Sequence, residues 1–286
     1  MEWKNTNKTL QILKAAEEGG YGIIATVVYT LDQVTSTIKA AENKNSPVMV
    51  LMFPWAIKNS NGALVRAAAD CARRAKVPVA VHLDHAQTPE EVKAAVELPF
   101  DSIMVDMSHY EKEENLRLTA EMVKLCNSHE ISTEAEPGRI EGTEDGVMDT
   151  ATLEGLLTTP EDAVEFIDTG VDMLAPSFGN FHGNYPPEGP QLRLDLLKQL
   201  AEVCKARDVR LVLHGTNDFT EELLKENIKL GVTKLNVNRL VLDKHFEYFE
   251  KNADKVGLTE LIEVSNDLIV QRTEHWMDVC GSSGRA

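Results

Sequence analysis

Cysteine is scarce in this chain and never paired. Its four cysteines, Cys71, Cys126, Cys204 and Cys280, lie far apart and form no C-x-x-C motif. Spacing of that kind excludes a disulfide framework and reads as reduced thiols in a cytosolic protein. Positive charge is short as well: 29 lysines and arginines stand against 46 acids, for a net charge of −17. A nucleic-acid partner is therefore not expected, because neutralising phosphates takes clustered basic residues. A small anionic substrate is not excluded, since a metal and one or two local cations reverse the sign inside a pocket. Long apolar runs are missing too. No stretch of about 18 apolar residues occurs, and the opening MEWKNTNKTLQ holds no signal-peptide core, so no membrane association and a cytoplasmic location are the expectations. The chain also lacks a low-complexity segment, an interdomain linker, and any G-x-G-x-x-G after its first strand.

What is present is alternation. Hydrophobic residues make up 43% and charged residues 26% of the 286, as in a globular protein with a large core. Short β-branched runs recur at Tyr21–Val28, Pro47–Met52, Pro78–His85, Ser102–Asp106, Ser132–Glu136, Asp172–Ser177, Arg210–Gly215 and Thr233–Asn238. Between them Leu31–Asn43, Asn61–Lys76, Pro89–Leu98, Glu113–His129 and Glu221–Leu230 carry apolar residues at helical spacing. Thr88-Pro89-Glu90-Glu91 and Thr159-Pro160-Glu161-Asp162 read as helix starts, with a capping hydroxyl, proline at the first helical position and acids in the first turn. Eight strand–helix units predict a (β/α)8 TIM barrel, which takes about 250 residues, as one domain over 1–286. A helical extension over about 258–286 either closes the barrel floor or packs on a neighbouring subunit.

Active sites of such barrels sit at the carboxyl ends of the strands, and here those ends are rich in ionisable groups. VHLDH gives Asp84 and His85, IMVD gives Asp106, TEAE gives Glu134 and Glu136, FHG gives His182, LVLHG gives His214, and LNVN gives Asn236 and Asn238. Three histidines on rigid strand ends can supply three nitrogens to zinc and leave a fourth position for water or substrate. Asp106 and Glu136 either hold a second cation, divalent or monovalent, or orient the imidazoles. A metal placed there polarises a ketone and stabilises the charge that appears when a carbon–carbon bond breaks, while Asp84 handles a hydroxyl proton. Lys234 begins the eighth strand, on the wrong rim for a Schiff base.

The segments LKAAEEGGYGI, AAENKNSPVMV, VAVHLDHAQTPEE, FDSIMVDMSHYEKEENL, STEAEPGRIEGTEDG, FGNFHGNY, LVLHG and KLNVN resemble the class II (metal-dependent) ketose-bisphosphate aldolases from about Leu13 to about Asn238. The resemblance implies a zinc-dependent aldolase of carbohydrate metabolism acting on ketone and aldehyde substrates, sugar phosphates among them. It implies His85, His182 and His214 as zinc ligands, Asp84 as the acid/base on the C4 hydroxyl, and Asp106 and Glu136 at a second metal position. Glu144 corresponds to a mobile-loop acid. Asn236 and Asn238 correspond to donor contacts, and Gly183 and Gly215 to glycines whose backbone approaches the donor phosphate. A homodimer or homotetramer through peripheral helices is a further expectation from the resemblance.

Departures concentrate in the grip on phosphate. Pro186 replaces a lysine, His214-Gly215-Thr216-Asn217-Asp218 replaces H-G-G-S-G, and Asn236-Val237-Asn238-Arg239-Leu240 loses a hydroxyl and a carboxylate. Ala25-Thr26-Val27-Val28-Tyr29 stands where A-F-N-x-N is common, and Met52-Phe53-Pro54-Trp55 replaces a serine-containing stretch. Two enzymes fit: one cleaving fructose 1,6-bisphosphate with Arg239 as anion contact, and one using an unphosphorylated or carboxylated donor. A metal-binding pseudoenzyme is a third reading, from another class. Blander roles stand beside the sharp ones. Asp84 or Asp106 serves as a turn cap, Glu134 as a salt-bridge partner, and Phe53 and Trp55 as core or as an altered pocket wall. His82, His109, His129, His245 and His275 read as structural.

Overall fold

The structure, a computed structural model, describes residues 1–143 and 154–286, so the acid expected at Glu144 lies outside the described residues. Ten strands are labelled in chain order: β1 Ile23–Val27, β2 Val48–Met52, β3 Val79–Ala86, β4 Ser102–Val105, β5 Ser132–Ala135, β6 Glu141–Gly142, β7 Met173–Leu174, β8 Phe181–His182, β9 Arg210–Leu213 and β10 Val232–Val237. All but β6 and β8 close a parallel barrel in the order β1-β10-β9-β7-β5-β4-β3-β2. This is the (β/α)8 barrel that the alternation predicts, and each of the eight expected runs overlaps one barrel strand, with Ala86 and Val232 lying one residue beyond their runs. β6 and β8 pair separately, Gly142 opposite His182.

Strands β1 to β5 are buried along their whole length. In β1, β2 and β4 that follows from a mostly Val, Ile, Leu and Met content, because a parallel sheet is covered on both faces, whereas β3 and β5 also bury His82, Asp84, His85 and Glu134. Helix starts lie where hydroxyls fall. Thr30, Thr88, Thr159 and Thr220 accept from the third backbone N–H beyond them, and Thr159 with Asp162 forms a reciprocal capping box.

Two hydrophobic clusters divide the interior. The larger lies between strands and surrounding helices, and the smaller includes Ile23, Met49, Ala80, Met104, Met173 and Val212. Ile12, Leu13 and Ala16 join the smaller cluster from the helix Lys8–Gly19, which contacts β1, β3, β9 and β10. That amino-terminal helix therefore fills the floor. The carboxyl-terminal helix Leu258–Cys280 packs instead on the helices Leu31–Lys44 and Arg239–Asn252, with Trp276 Nε1 donating to the Leu240 carbonyl at 2.9 Å. Among the described residues no helix is long and apolar enough to cross a membrane.

The cysteines follow this packing. Cys126, Cys204 and Cys280 are buried, and burial pushes each thiol up to about 12. At pH 8 such a thiol is ionised to about one part in ten thousand, and the thiolate is the reacting form. Half-buried Cys71 is therefore expected to be the single site alkylated by iodoacetamide in the native state, with all four labelled after unfolding. Peptide mapping that finds Cys126 labelled in the folded protein would contradict this packing.

Candidate active site and metal centre

The site begins with a backbone irregularity. Along a strand, successive side chains point to opposite faces, so His82 and Asp84 share the inner face and His85 would point outward. The β3–β4 register shifts between Leu83 and Ala86, and His85 has φ +50. This bulge turns one extra residue inward, so Asp84 and His85 both reach the cavity. Left-handed backbone is uncommon for a residue with a Cβ and clusters at functional sites.

His182 arrives by another route. β8 is held against β6, and Asn180 fastens the preceding turn by donating Nδ2 to the His214 carbonyl at 3.2 Å. Gly215, at φ +70, lies so close to the Phe181 carbonyl oxygen that any Cβ there would collide with it. The end of β9 and the His182 segment can pack this tightly only with glycine at that position.

His85, His182 and His214 converge. His85 Nε2 lies 3.2 Å and His182 Nε2 3.4 Å from His214 Nδ1. Zinc–nitrogen bonds of about 2.05 Å in a tetrahedron separate neighbouring nitrogens by about 3.3 Å. The far ring nitrogens are engaged by carboxylates: Asp106 Oδ2 is 2.7 Å from His85 Nδ1, and Glu134 Oε1 is 2.9 Å from His214 Nε2. Carboxylates behind metal-binding imidazoles fix tautomer and ring orientation. The residues present therefore fit a tetrahedral metal with one position left for substrate.

Two further groups have ligand atoms within 4.8 Å of one another: His85, Asp106 and Glu136, and His82, Asp84 and Glu134. The second already contains a cation, because Lys234 Nζ lies 2.8 Å from Glu134 Oε2 and 3.4 Å from His82 Nε2. This corrects the placement of Lys234 on the lower rim. It sits on the inner face of β10, fully buried, and its long side chain crosses to β5. Glu134 is the salt-bridge partner that one reading of TEAE expects. His82 points inward with Asp84 and bonds Ser102 Oγ through Nδ1 at 2.7 Å.

Charge is sharply partitioned. Burial alone would raise Asp84, but positive charge on His85, the His82 hydrogen bond, and charge on His214 and Lys234 hold it well below the usual carboxylate range. Asn236 Nδ2 donates to both Asp84 oxygens, at 3.0 and 3.1 Å. Burial opposes ionisation of Glu134 as well, yet Lys234 and His214 bring it down to about 2. Glu136 goes the other way, to about 8, because burial and the neighbouring charge of Asp106 act together. His182 is driven down by burial and by the charges of His85 and His214. A neutral imidazole is the form that binds a metal.

A small cavity of about 10 Å³ opens on these groups, lined by Val27, Phe53, Asp84, the three histidines, Gly215, Thr216, Asn217, Asn236, Val237 and Asn238. Among the described residues lining it there is no lysine or arginine. Arg239 lies at the rim, paired through Nε with Asp243 Oδ1 at 2.9 Å and through Nη1 with Asn184 Oδ1. Asp218 accepts from the Tyr185 backbone N–H at 3.0 Å, and Gly183 accepts from Asn217 Nδ2 at 3.1 Å. Missed from the sequence were the Lys234–Glu134 pair and the His85 bulge. Alternation placed Lys234 on the same strand face as Asn236 and so carried the first signal; nothing in VHLDH signals the second.

Fold and site together describe a (β/α)8 barrel with buried histidines and carboxylates gathered at metal-ligand spacing. The chain belongs to the class II fructose-bisphosphate aldolase family, whose sequence model matches residues 7–285, and it is thus an aldehyde-lyase. A candidate fructose-bisphosphate aldolase from Coccidioides immitis (strain RS) is 48% identical over 289 residues, covering 98% of this chain and 95% of the relative. A crystal structure of a candidate fructose-1,6-bisphosphate aldolase from Coccidioides immitis superposes with a TM-score of 0.96 at 49% identity, covering 98% of each chain. The fructose-bisphosphate aldolase of Streptococcus pyogenes serotype M1 is 37% identical over 233 residues, 80% of this chain and 77% of the relative. The YdjI aldolase of Escherichia coli K12 superposes with a TM-score of 0.84 at 29% identity, covering 96% of this chain and 97% of the other.

Proposed function

We propose that this enzyme is a zinc-dependent aldolase that makes or breaks a carbon–carbon bond between a ketone donor and an aldehyde. The observation carrying this reading is the set of three imidazole nitrogens at tetrahedral spacing with the ionised Asp84 carboxylate buried beside them. His85, His182 and His214 would hold the zinc, whose positive charge would polarise a ketone carbonyl and stabilise the charge developing on it. Asp84 takes the proton from the hydroxyl of the bond being cleaved, and in the reverse direction returns it to the aldehyde oxygen. Asn236 holds Asp84 through two hydrogen bonds and so fixes the direction of its lone pairs. Asp106 keeps His85 in the tautomer that presents Nε2 inward, and Asp106 and Glu136 together offer a second cation position. Glu144, outside the described residues, would act on the donor carbon.

The cavity lining favours a donor without phosphate. A dianion is held by backbone N–H groups, hydroxyls and cations, and the lining offers Gly215, Thr216 and Asn217 without a cationic side chain. Arg239 is engaged by Asp243 and Asn184. Fructose 1,6-bisphosphate is the substrate to offer, to zinc-loaded and to chelator-treated protein. Aldol addition with dihydroxyacetone that exceeds addition with dihydroxyacetone phosphate, together with poor bisphosphate cleavage, is the expected result. Rapid, chelator-sensitive release of dihydroxyacetone phosphate would establish a phosphorylated donor instead. Absence of turnover with either donor in a folded, zinc-bound protein would defeat the aldolase reading itself.

A further inference from the structure

The polar half of the cavity comes from the ends of β9 and β10, through Gly215, Thr216, Asn217, Asn236 and Asn238. The adjoining sector, on the β1 and β2 side, adds apolar side chains. β1 contributes Val27, and Phe53 follows β2 directly, beside β3 with its Asp84 and His85. Phe53 is 2% exposed, with its ring centroid 6.2 Å from that of His85. Beyond the cavity lining, Tyr29 packs with its ring centroid 6.2 Å from Phe53 and 6.0 Å from Trp55, and Trp55 reaches solvent at 39% exposure. Three aromatic rings thus run from the metal centre to the surface. Asn238 Nδ2 donates to the Tyr29 hydroxyl at 3.2 Å, which ties the outer ring to the polar half.

Which half of the substrate meets this wall follows from the chemistry. The proton that Asp84 moves belongs to the oxygen that becomes the aldehyde, so the aldehyde-derived carbon lies against Asp84 and its substituent extends into the neighbouring sector. Resting on the aldolase reading above, we propose that the aldehyde half carries an apolar substituent of aromatic size, received by Val27, Phe53, Tyr29 and Trp55. Aldol addition then joins the donor α-carbon to the aldehyde carbon. The proton lost from the donor is matched by the proton gained on the aldehyde oxygen. A phosphate at the far end of that half would meet aromatic faces and the charge of Asp84 in a protein of net charge −17.

The test is an acceptor series in the synthetic direction, with dihydroxyacetone and dihydroxyacetone phosphate offered separately as donors. For the better donor, kcat/KM with phenylacetaldehyde is expected to exceed that with glyceraldehyde 3-phosphate by at least about tenfold. Trp55→Ser, at an exposed position, is expected to reduce that preference by at least about fivefold, with Phe53→Ser reducing it further where the variant folds. Preference for glyceraldehyde 3-phosphate, or a ratio unmoved by Trp55→Ser, overturns the proposal. A second readout needs no turnover: calorimetric titration of the zinc-loaded protein with 3-phenylpropan-1-ol, which cannot react. Binding that weakens in Trp55→Ser is expected, and lack of binding at millimolar concentration overturns the apolar sector whatever the turnover. Binding without turnover of any donor–acceptor pair would instead sink the aldolase reading, and with it the assignment to an aldehyde half.

Discussion

Asp84→Ala is expected to lower turnover by roughly two to four orders of magnitude while zinc content stays at the wild-type level. The two halves of that expectation rest on different contacts. Asp84 is 2% exposed and its oxygens are occupied by Asn236, whereas the three converging nitrogens belong to His85, His182 and His214. Removing the carboxylate deletes the proton acceptor without touching a ligand. A steady-state assay with zinc measured on the same preparation checks both halves. Turnover within about tenfold of wild type would remove Asp84 from the chemistry. Parallel loss of zinc and activity would make it a ligand. His85→Ala provides the contrast: one of three nitrogens goes, and with it the His85–Asp106 pair, so zinc and activity are expected to fall together.

The barrel was legible because its code is redundant. Most barrel strands carry a β-branched or aliphatic run, and each helix start after Thr30, Thr88, Thr159 and Thr220 carries its own hydroxyl cap. What stayed hidden depends on single residues or on distant partners. β6 and β8 are two residues each and show no periodicity, so the ladder that carries His182 could not be seen. The helix Pro54–Ser60 is only two turns long and precedes the helical run that begins at Asn61, too short for its periodicity to show. Helix Lys8–Gly19 is amphipathic, but nothing local says that its apolar face enters the barrel floor. The bulge at His85 is a backbone choice that VHLDH permits without requiring. Motif chemistry located the histidines at their strand ends, while the tetrahedral spacing of their nitrogens is a property of the closed barrel.

Lys234 shows how far that tertiary property reaches. Lys234→Met is expected to destabilise the protein by about 3–5 kcal/mol, because it leaves a buried carboxylate without its counter-charge. In a chain of this size such a loss corresponds to a fall in Tm of roughly 5–8 °C. Lys234 and Glu134 are both fully buried and 2.8 Å apart. Solvent cannot take over the role of either, in contrast to exposed pairs such as Lys39–Asp267, where little is expected to change. The cost belongs to the uncompensated charge more than to the pair itself, so adding Glu134→Gln should recover much of it. A glutamine oxygen can still accept from His214 Nε2, and methionine occupies most of the volume of lysine. Thermal melts of the single and double variants form a cycle whose coupling term isolates the pair. A double variant less stable than Lys234→Met alone would show that charge at Glu134 is needed for its own sake. In that case the ion pair is part of the metal site's support, with Lys234 holding Glu134 and Glu134 holding His214, and zinc affinity should fall by about 10–100-fold in the double variant. Recovery with zinc affinity kept would instead make Lys234 the counter-ion that allows an acid to stand behind His214 in the barrel core.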